Sequence, residues 1–373
     1  MKVSHLVLLL GIFACRAVYA QENTTSAQTT SSLEKSDWNE VVKQAQKEGG
    51  LVFNIWYLQP QWRAFVKPFE EEYGIKITIP EGTIDGNMNK LLAESKRETG
   101  KMDVMALSVS QLPIIIKANA IRQLTWLPGY ESSINYIQSI DTQGYAVAFW
   151  GNQTGFAYDP QQIGNTQLPQ TLNELQQFIE THPRRFGYND PNNGGAGEAF
   201  IQRIVTLKSG EFDSHAKDID ANVIKGWSKG WSWFVDNKDK LTQTASGADS
   251  LTRLNDGELI LVPAWEDHLR GLQRSGAITS RLEFYIPQFG MPGGGNVVVM
   301  ANNSPHPAAC AVFINWLIQP STQLALKETF GTVPMIKEMP ETRRNSQAEE
   351  VQFYGKEYSM QFRKEFVRNV TMK

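Results

Sequence analysis

The sequence predicts an α/β fold made of two lobes. Short apolar runs, such as residues 51–56 and 102–107, alternate with segments of helical periodicity, a rhythm typical of sheets covered by helices. The chain has 373 residues, and this length suits two lobes because domains usually span about 100–200 residues. Cys310 would be the one cysteine left after removal of an export signal, so we expect a buried thiol and no intrachain disulfide.

The first twenty residues have the features of an export signal. Lys2 provides a positive start, residues 6–14 are apolar, and residues 18–20 fit a cleavage site. We therefore expect cleavage after Ala20 and a periplasmic protein. The apolar run is much shorter than the roughly 20 residues of a membrane-spanning helix.

A lipoprotein is the alternative for this terminus. Cys15 would then carry the lipid, but Phe13 fits the required cleavage motif poorly. Residues 21–36 are rich in Gln, Thr and Ser and lack hydrophobic periodicity, so they are predicted to be a disordered tether.

The charge of the mature chain is mildly acidic. Cleavage removes Lys2 and Arg16, which leaves 34 basic against 39 acidic residues and a net charge of −5. A protein without a basic excess has little attraction for nucleic acid or anionic lipid. We expect neither as a partner.

Helical and strand patterns alternate along the whole chain. In the first part the predicted elements are helix 38–47, strand 51–56, helix 61–73, strand 75–79, helix 87–96, strand 102–107 and strand 146–150, which a turn at Gly151 ends. In the second part they are helix 171–181, strand 185–188, helix 198–209, helix 223–235, helix 246–256, strand 258–262, strand 282–287, strand 296–301, helix 307–318 and helix 321–330. Residues 349–367 are mostly polar and are predicted to form a surface helix.

Six segments resemble, in family order, the extracellular solute-binding proteins of bacterial ABC importers. These segments are FEEEYGIKI (69–77), MDVMAL (102–107), AVAFWGNQTGFAY (146–158), LPQTLNEL (168–175), NDGELILVPAW (255–265) and HPAACAVFINWLIQPSTQ (306–323). The resemblance is strongest to the YnjB-like branch, which is related to the thiamine-, iron- and polyamine-binding proteins.

This resemblance implies a periplasmic-binding-protein type II fold, with two α/β lobes joined by crossing hinge strands. The first lobe would comprise residues 37–147 and 290–336, the second 148–289, and residues 337–373 would form a helical tail. A small solute would bind in a cleft between lobes that close by hinge motion. The partner would be an ABC permease in the inner membrane, and we expect a monomer that uses no cofactor.

Candidate ligand-binding residues follow the predicted strands, because ligands of open α/β sheets gather at strand carboxyl ends. They are Trp56, Tyr57, Thr83, Asp85, Gly86, Asn87, Ser108, Trp150, Gly194, Gly195, Gly197, Trp265, Glu266 and Tyr285. Aromatic faces and carboxylates attract cations, so the set indicates a cationic or aromatic solute, such as thiamine or a polyamine. Any single Trp or Tyr could equally be core, and Asp85 could equally cap a helix.

The glycine-rich loop indicates a different chemistry. Gly194, Gly195 and Gly197 precede a predicted helix, where free backbone N–H groups and the helix dipole favour an anion. Such loops also occur as ordinary turns. A solute with both a cationic part and a phosphate would satisfy both observations.

Two other functions remain alternatives. Iron capture on the same fold would require clustered ligands, but the chain has no adjacent tyrosines, and Glu266-Asp267-His268 is more typical of a solvated turn. A secreted hydrolase would require a catalytic motif, and neither a Gly-x-Ser-x-Gly elbow nor a His-Glu-x-x-His motif is present. We therefore predict a binding protein with no catalytic residues and no metal site.

Overall fold

A computed structural model of the chain describes residues 33–137, 140–216, 218–339 and 351–373. The expectations for the export signal and for Cys15 lie outside the described residues, as does most of the expected tether. Leu33, near the end of that tether, is buried, and the N–H of Ser36 donates to its carbonyl oxygen at 3.1 Å. The prediction of a disordered tether is therefore wrong for its last residues.

Helices and strands alternate along the described chain. The first elements are α1 (Trp38–Glu48), β1 (Gly50–Asn54), α2 (Gln59–Phe65), α3 (Lys67–Tyr73), β2 (Lys76–Thr78), α4 (Ile84–Glu94), β3 (Val104–Ser108), α5 (Leu112–Lys117), β4 (Tyr136–Ile137), β5 (Ile140–Asp141) and β6 (Val147–Tyr158). They continue with α6 (Pro160–Ile163), α7 (Leu172–Thr181), β7 (Phe186–Asn189), α8 (Gly195–Ser209), α9 (Ala221–Gly226), α10 (Ser228–Asp236), β8 (Leu241–Thr244) and α11 (Gly247–Asn255). The last are β9 (Leu261–Trp265), α12 (Glu266–Arg274), β10 (Glu283–Tyr285), β11 (Gly293–Met300), α13 (Pro307–Leu317), α14 (Pro320–Phe330) and α15 (Lys356–Phe366).

The described residues form two compact units, each built from helices and strands. The first comprises the described residues within Met1–Ala106, Ile115–Tyr130 and Val299–Trp316. The second comprises those within Leu107–Ile114, Glu131–Val298 and Leu317–Lys373. The lobe boundaries expected from the sequence differ from the boundaries of these two units at several points, and they stay a prediction.

In the first unit, β1 pairs in parallel with β2 on one side and with β3 on the other. Phe53 of β1 is fully buried, with its ring 5.4 Å from Trp62 and 5.1 Å from Phe313 in edge-to-face geometry. Aromatic pairs in this geometry stabilise a core beyond their buried area. Phe69 of α3 completes the cluster at 5.2 Å from Phe313.

In the second unit, β6 pairs antiparallel with β9, β10 and β11, and β7 pairs in parallel with β8 and β9. The sequence predicts that the strand ends at Gly151, but β6 continues through this residue to Tyr158. A Cβ at Gly151 would clash with the carbonyl oxygen of Val333. Gly151 therefore permits a close backbone approach within the sheet, and the turn prediction is wrong.

The C-terminal helix belongs to the core of the second unit. Tyr358, Phe362 and Phe366 of α15 recur every four residues, so they share one face of the helix, and all three are buried. Phe362 lies 5.6 Å from Trp227 and 5.1 Å from Trp231. The prediction that residues 349–367 form a surface helix is therefore wrong. The segment is mostly polar, but its three aromatic side chains form one apolar face, and this face is buried.

The predicted helix 61–73 consists of two helices. Pro68 has no N–H to donate to the carbonyl of Ala64, so a single helix cannot continue through it, and α2 ends at Phe65 while α3 begins at Lys67.

Cys310 is fully buried, as predicted. Within the described ranges, no helix has the length and apolarity needed to cross a membrane.

Candidate functional site

The carboxyl ends of β7, β8 and β9 lie together in the second unit. β7 is parallel to both neighbours, and Asn189 is opposite Thr244 at the last residue of β7 and β8. Each strand is followed along the chain by a helix, which is α8, α11 or α12. Parallel α/β sheets bind ligands at this end, where N–H groups of helix N-termini point outward. We take this edge as the candidate site.

The loop between β7 and α8 depends on glycine at two positions. Gly194 has a φ of +137°, a backbone conformation that residues with a side chain rarely adopt. A Cβ at Gly197 would clash with the carbonyl oxygen of Asn189. The Asn189 Nδ2 group donates to the carbonyl oxygens of Asp190 (2.9 Å) and Gly194 (3.0 Å). These contacts hold the first turn of α8 directly against the end of β7.

Trp265, the last residue of β9, lies against the same loop. A Cβ added to Gly195 would be 3.1 Å from Nε1 and 3.1 Å from Cζ2 of the Trp265 indole. The structure therefore brings together Gly194, Gly195 and Trp265, three residues selected from the sequence. The indole also stacks on Phe353, with ring centroids 5.6 Å apart and planes inclined by 24°.

The first turns of α8 and α11 lie close together. A Cβ at Gly247, the first residue of α11, would have as its nearest neighbours Asn189 Oδ1 and His268 Nδ1, each at 4.0 Å. A Cβ at Gly194 would be 3.7 Å from the backbone nitrogen of Gly247. Gly194, Gly247, Asn189 and His268 are therefore neighbours at this edge of the sheet.

Asn189 carries a hydrogen-bond acceptor without a partner among the described residues. Its side chain is fully buried, and Oδ1 has no hydrogen-bond partner among the described residues. The amide orientation follows from the two carbonyl oxygens that Nδ2 contacts, because only the NH₂ group can donate to them. A buried acceptor without a partner is costly, and this one lies 4.0 Å from the Cβ position of Gly247.

The first turn of α12 is more buried than a solvated turn. Asp267 Oδ2 accepts the indole N–H of Trp150 at 3.1 Å, and Oδ1 accepts the backbone N–H of His268 at 2.9 Å. Burial raises the pKa of Asp267 to about 6 against the opposing effect of these bonds. Burial also lowers the pKa of His268 and raises that of Glu266. The interpretation of residues 266–268 as a solvated turn is wrong.

Trp150 and Tyr285, two further predicted contacts, are packed by protein atoms. Trp150 is 3% exposed and its ring lies 5.0 Å from Phe330. The Tyr285 hydroxyl donates to the carbonyl oxygen of Pro169 at 2.9 Å. These positions do not test whether Trp150 and Tyr285 contact the solute, so that contact stays a prediction for both residues. Glu266 is half-buried, with its carboxylate 3.7 Å from the Arg270 guanidinium.

In the first unit, the predicted residues after β2 form a helix N-terminus. Thr83 is the N-cap of α4, and its Oγ1 accepts the N–H of Gly86 at 3.1 Å. Asp85 is an exposed residue of the first turn, so the alternative role of Asp85 as the cap is wrong. Asn87 is buried beside Gly82, whose Cβ would be 2.6 Å from Asn87 Oδ1.

Gln59 connects this loop to the one that follows β1. Its Nε2 donates to the carbonyl oxygens of Ile55 (3.1 Å) and Gly82 (3.0 Å). Trp56 is half-buried and Tyr57 is 37% exposed in the first of these loops. Ser108 is at the end of β3, with its Oγ 3.0 Å from Ser110 Oγ at the start of a 3₁₀ turn.

Asn189, Gly247 and His268 are site residues that the sequence analysis missed. Asn189 lies one residue beyond the predicted strand 185–188, so its position at the strand end was detectable. Gly247 follows β8, Leu241–Thr244, which was not predicted because Leu241 is the only apolar residue among its four. Across the part of the chain that the structure describes, no group of three or more His, Cys, Asp or Glu side chains could hold a metal ion.

Comparison with known proteins identifies the family. The model of the bacterial extracellular solute-binding protein family matches residues 64–352, well over half of the chain. The chain belongs to this family. The members are binding proteins of ABC transporter type rather than enzymes, and the family name implies a periplasmic or secreted location. Among curated proteins, none matches the sequence.

Solved structures show that this solute-binding protein has the mixed α/β, two-lobed fold of its family. It is similar to an extracellular solute-binding protein from Bordetella parapertussis, with 16% identity and a TM-score of 0.67 over 87% of this chain and 99% of that chain. It is similar to the spermidine/putrescine substrate-binding protein PotD from Streptococcus pneumoniae, with 14% identity and a TM-score of 0.61 over 84% and 91%. Iron-bound HitA from Pseudomonas aeruginosa shows 15% identity and a TM-score of 0.61 over 85% and 98%.

Proposed function

We propose that this protein captures a small organic solute in the periplasm and delivers it to the permease of an ABC importer. The observation that carries the proposal is the edge of the second unit where the N-termini of α8 and α11 meet Trp265 and the buried Asn189 oxygen. An edge of this kind binds ligands in parallel α/β sheets. Family membership supplies the transport context.

The solute class expected from the sequence is an organic cation or an aromatic compound, such as thiamine or a polyamine. The stacked pair of Trp265 and Phe353 supports this class, because aromatic faces attract cations and flat rings. Glu266, the residue after Trp265, adds a carboxylate that would attract a cation. We also propose that the protein belongs to the YnjB-like branch, that its lobes close on the solute and that it is a monomer.

The neighbours do not select among solutes, because PotD is described as a spermidine/putrescine protein and HitA as iron-bound. The decisive experiment is native mass spectrometry of the mature chain purified from the periplasm, which we expect to reveal a co-purified small molecule. Thermal-shift assays with thiamine, spermidine and ferric iron then compare the three classes directly.

The Trp265→Ala variant tests the site itself, with Trp126→Ala in the first unit as the matched control. We expect Trp265→Ala to weaken binding of the identified solute by about 1–3 kcal/mol and Trp126→Ala to leave it unchanged. Conversion of the solute into a product would contradict a binding protein. If Trp265→Ala and Trp126→Ala bind the solute with equal affinity, the edge of the second unit is not the solute site.

A further inference from the structure

A groove of about 560 Å³ lies along the outer face of α15 in the second unit. A π-helical turn, Val367–Thr371, extends this helix. Met360, Lys364 and Val367 are spaced by four and three residues, so they share the face of the helix that is turned away from the aromatic core. The helix lines the groove with apolar side chains and cations, which are Met360, Arg363, Lys364, Val367, Arg368 and Met372.

Positive charge is concentrated on this helix, although the chain is acidic overall. Residues 356–373 include five basic and two acidic side chains, whereas the whole chain has a net charge of −3. Lys364 and Arg368 are exposed and make no hydrogen bond or ion pair with the described residues. Arg363 differs, because its guanidinium pairs with Glu198 at 2.7 Å. Lys364 and Arg368 are therefore the cations that a partner would meet.

The two acidic side chains of residues 356–373 are not among the lining residues of the groove. Glu365 accepts from Gln361 Nε2 at 3.0 Å and from Asn369 Nδ2 at 2.9 Å. Glu357 is in the first turn of α15, where a carboxylate stabilises the helix dipole. An anionic group in the groove is therefore bordered by cations rather than by carboxylates.

Two methionines give the groove an exposed apolar surface. Met360 is 48% exposed and Met372 is 77% exposed, although methionine is usually among the most buried residue types. The flexible thioether side chain adapts to irregular surfaces. Removal of these two side chains from water would stabilise a complex with a partner that is itself partly apolar.

We infer that this groove docks on the surface of an anionic phospholipid bilayer. Lys364 and Arg368 contact the headgroup phosphates, and Met360 and Met372 enter the boundary between headgroups and acyl chains. The inference goes beyond the proposed function, because solute capture at the edge formed by β7, β8 and β9 does not require a membrane contact. We expected no lipid partner from the net charge of the whole chain, but attraction to a bilayer falls off within a Debye length, so a local cluster of cations decides it.

A bilayer fits the groove better than an acidic protein segment does. Protein interfaces usually contain many direct hydrogen bonds. Asn192 is the one uncharged polar side chain among the described lining residues, and its Nδ2 already donates to Asp190 at 3.0 Å. A lipid surface requires cations beside apolar side chains and no defined pattern of hydrogen bonds.

Vesicle sedimentation tests the inference on the chain that begins at Gln21, which lacks Cys15 and so cannot carry a lipid there. One set of vesicles contains phosphatidylglycerol and phosphatidylcholine in equal amounts, and the other contains phosphatidylcholine alone. We expect binding to the anionic vesicles only. Sodium chloride at about 0.5 M should release the protein, because salt screens exposed charges.

Two double variants with the same change in net charge locate the contact. The variant Lys364→Gln, Arg368→Gln should bind the anionic vesicles about 25-fold more weakly, since each cation near such a surface contributes about fivefold. The matched control is Lys90→Gln, Lys96→Gln, because both lysines are exposed in the first unit and have no partner among the described residues. The control should bind as the wild type does. Met360→Gln, which keeps the charge, should weaken binding about fivefold.

Three results would overturn the inference. The first is equal binding to both kinds of vesicle, or binding to neither. The second is equal weakening by the two double variants, which would attribute binding to net charge. The third is binding of poly-L-glutamate without binding to vesicles, lost only in Lys364→Gln, Arg368→Gln, which would assign the groove to an acidic protein partner. Solute binding, measured by thermal shift without vesicles, tests the proposed function separately.

Discussion

The indole N–H of Trp150 donates to Asp267 across 3.1 Å, and both side chains are buried. This bond joins the middle of β6 to the first turn of α12 within the second unit. The Trp150 ring also packs on Phe330 at 5.0 Å. Because Asp267 precedes His268, whose Nδ1 lies 4.0 Å from the Cβ position of Gly247, the bond connects the packing of β6 to the geometry of the candidate site.

The buried carboxyl of Asp267 makes stability depend on pH. Burial raises its pKa from 3.8 to about 6, so between these values the folded state binds more protons than the unfolded state. The resulting stabilisation is complete below pH 3.8 and is lost as pH rises through 6. Relative to Asp267→Asn, the wild type should lose about 2.5 kcal/mol of unfolding free energy between pH 4 and pH 7.

Urea unfolding of both proteins at four pH values measures this difference. The exposed Asp85 provides the control variant, Asp85→Asn, which should follow the wild type across the range. Parallel pH profiles for Asp267→Asn and the wild type would show that Asp267 does not titrate in this window.

Replacement of Trp150 should act mainly on stability. Trp150→Phe keeps most of the packing but leaves Asp267 Oδ2 without its hydrogen-bond donor, at a cost of about 1–3 kcal/mol. Trp150→Ala also leaves a cavity and should cost about 3–5 kcal/mol. Trp126→Phe, at a partly exposed position, is the control for both. Denaturant midpoints that do not fall for either Trp150 variant would contradict the buried contact.

Arg281 neutralises a buried carboxylate. Asp159 is 1% exposed and accepts two hydrogen bonds from the guanidinium, at 2.9 Å and 2.8 Å. Burial alone would raise the pKa of Asp159, but the bonds from Arg281 and the Gln161 N–H outweigh it and lower the pKa. We expect Arg281→Met to lower the midpoint of urea unfolding at pH 7, because it leaves the Asp159 carboxylate without its guanidinium partner. The loss should shrink toward pH 3, where Asp159 of the variant can be protonated.

Phe362 should contribute strongly to the stability of the second unit. Its side chain is fully buried among Trp227, Trp231 and Tyr354, so Phe362→Ala should cost about 3–5 kcal/mol. Met360, on the same helix, is 48% exposed, and Met360→Ala should change stability by less than about 0.5 kcal/mol. Similar effects of both substitutions on thermal unfolding would contradict the packing of α15.

The sequence was sufficient where local signals decide the structure. Apolar runs with glycine boundaries predicted β1, β3 and β7, and strand ends directed attention to Gly194 and Trp265. The sequence was insufficient where contacts with residues far along the chain decide the structure. The continuation of β6 through Gly151 depends on Val333, and the stacking partner of Trp265 lies 88 positions further along the chain, at Phe353. No local pattern contains either contact.

Ribosomal synthesis proceeds from the amino end, whereas α15 supplies its aromatic face from Lys356–Phe366, far along the chain from α10. The tryptophans of α10 and its neighbours therefore stay uncovered until those residues emerge. A nascent chain that lacks α15 would therefore leave the rings of Trp227 and Trp231 without their contacts to Phe362. Deletion of α15 would expose the same rings in the folded protein and make it prone to aggregation.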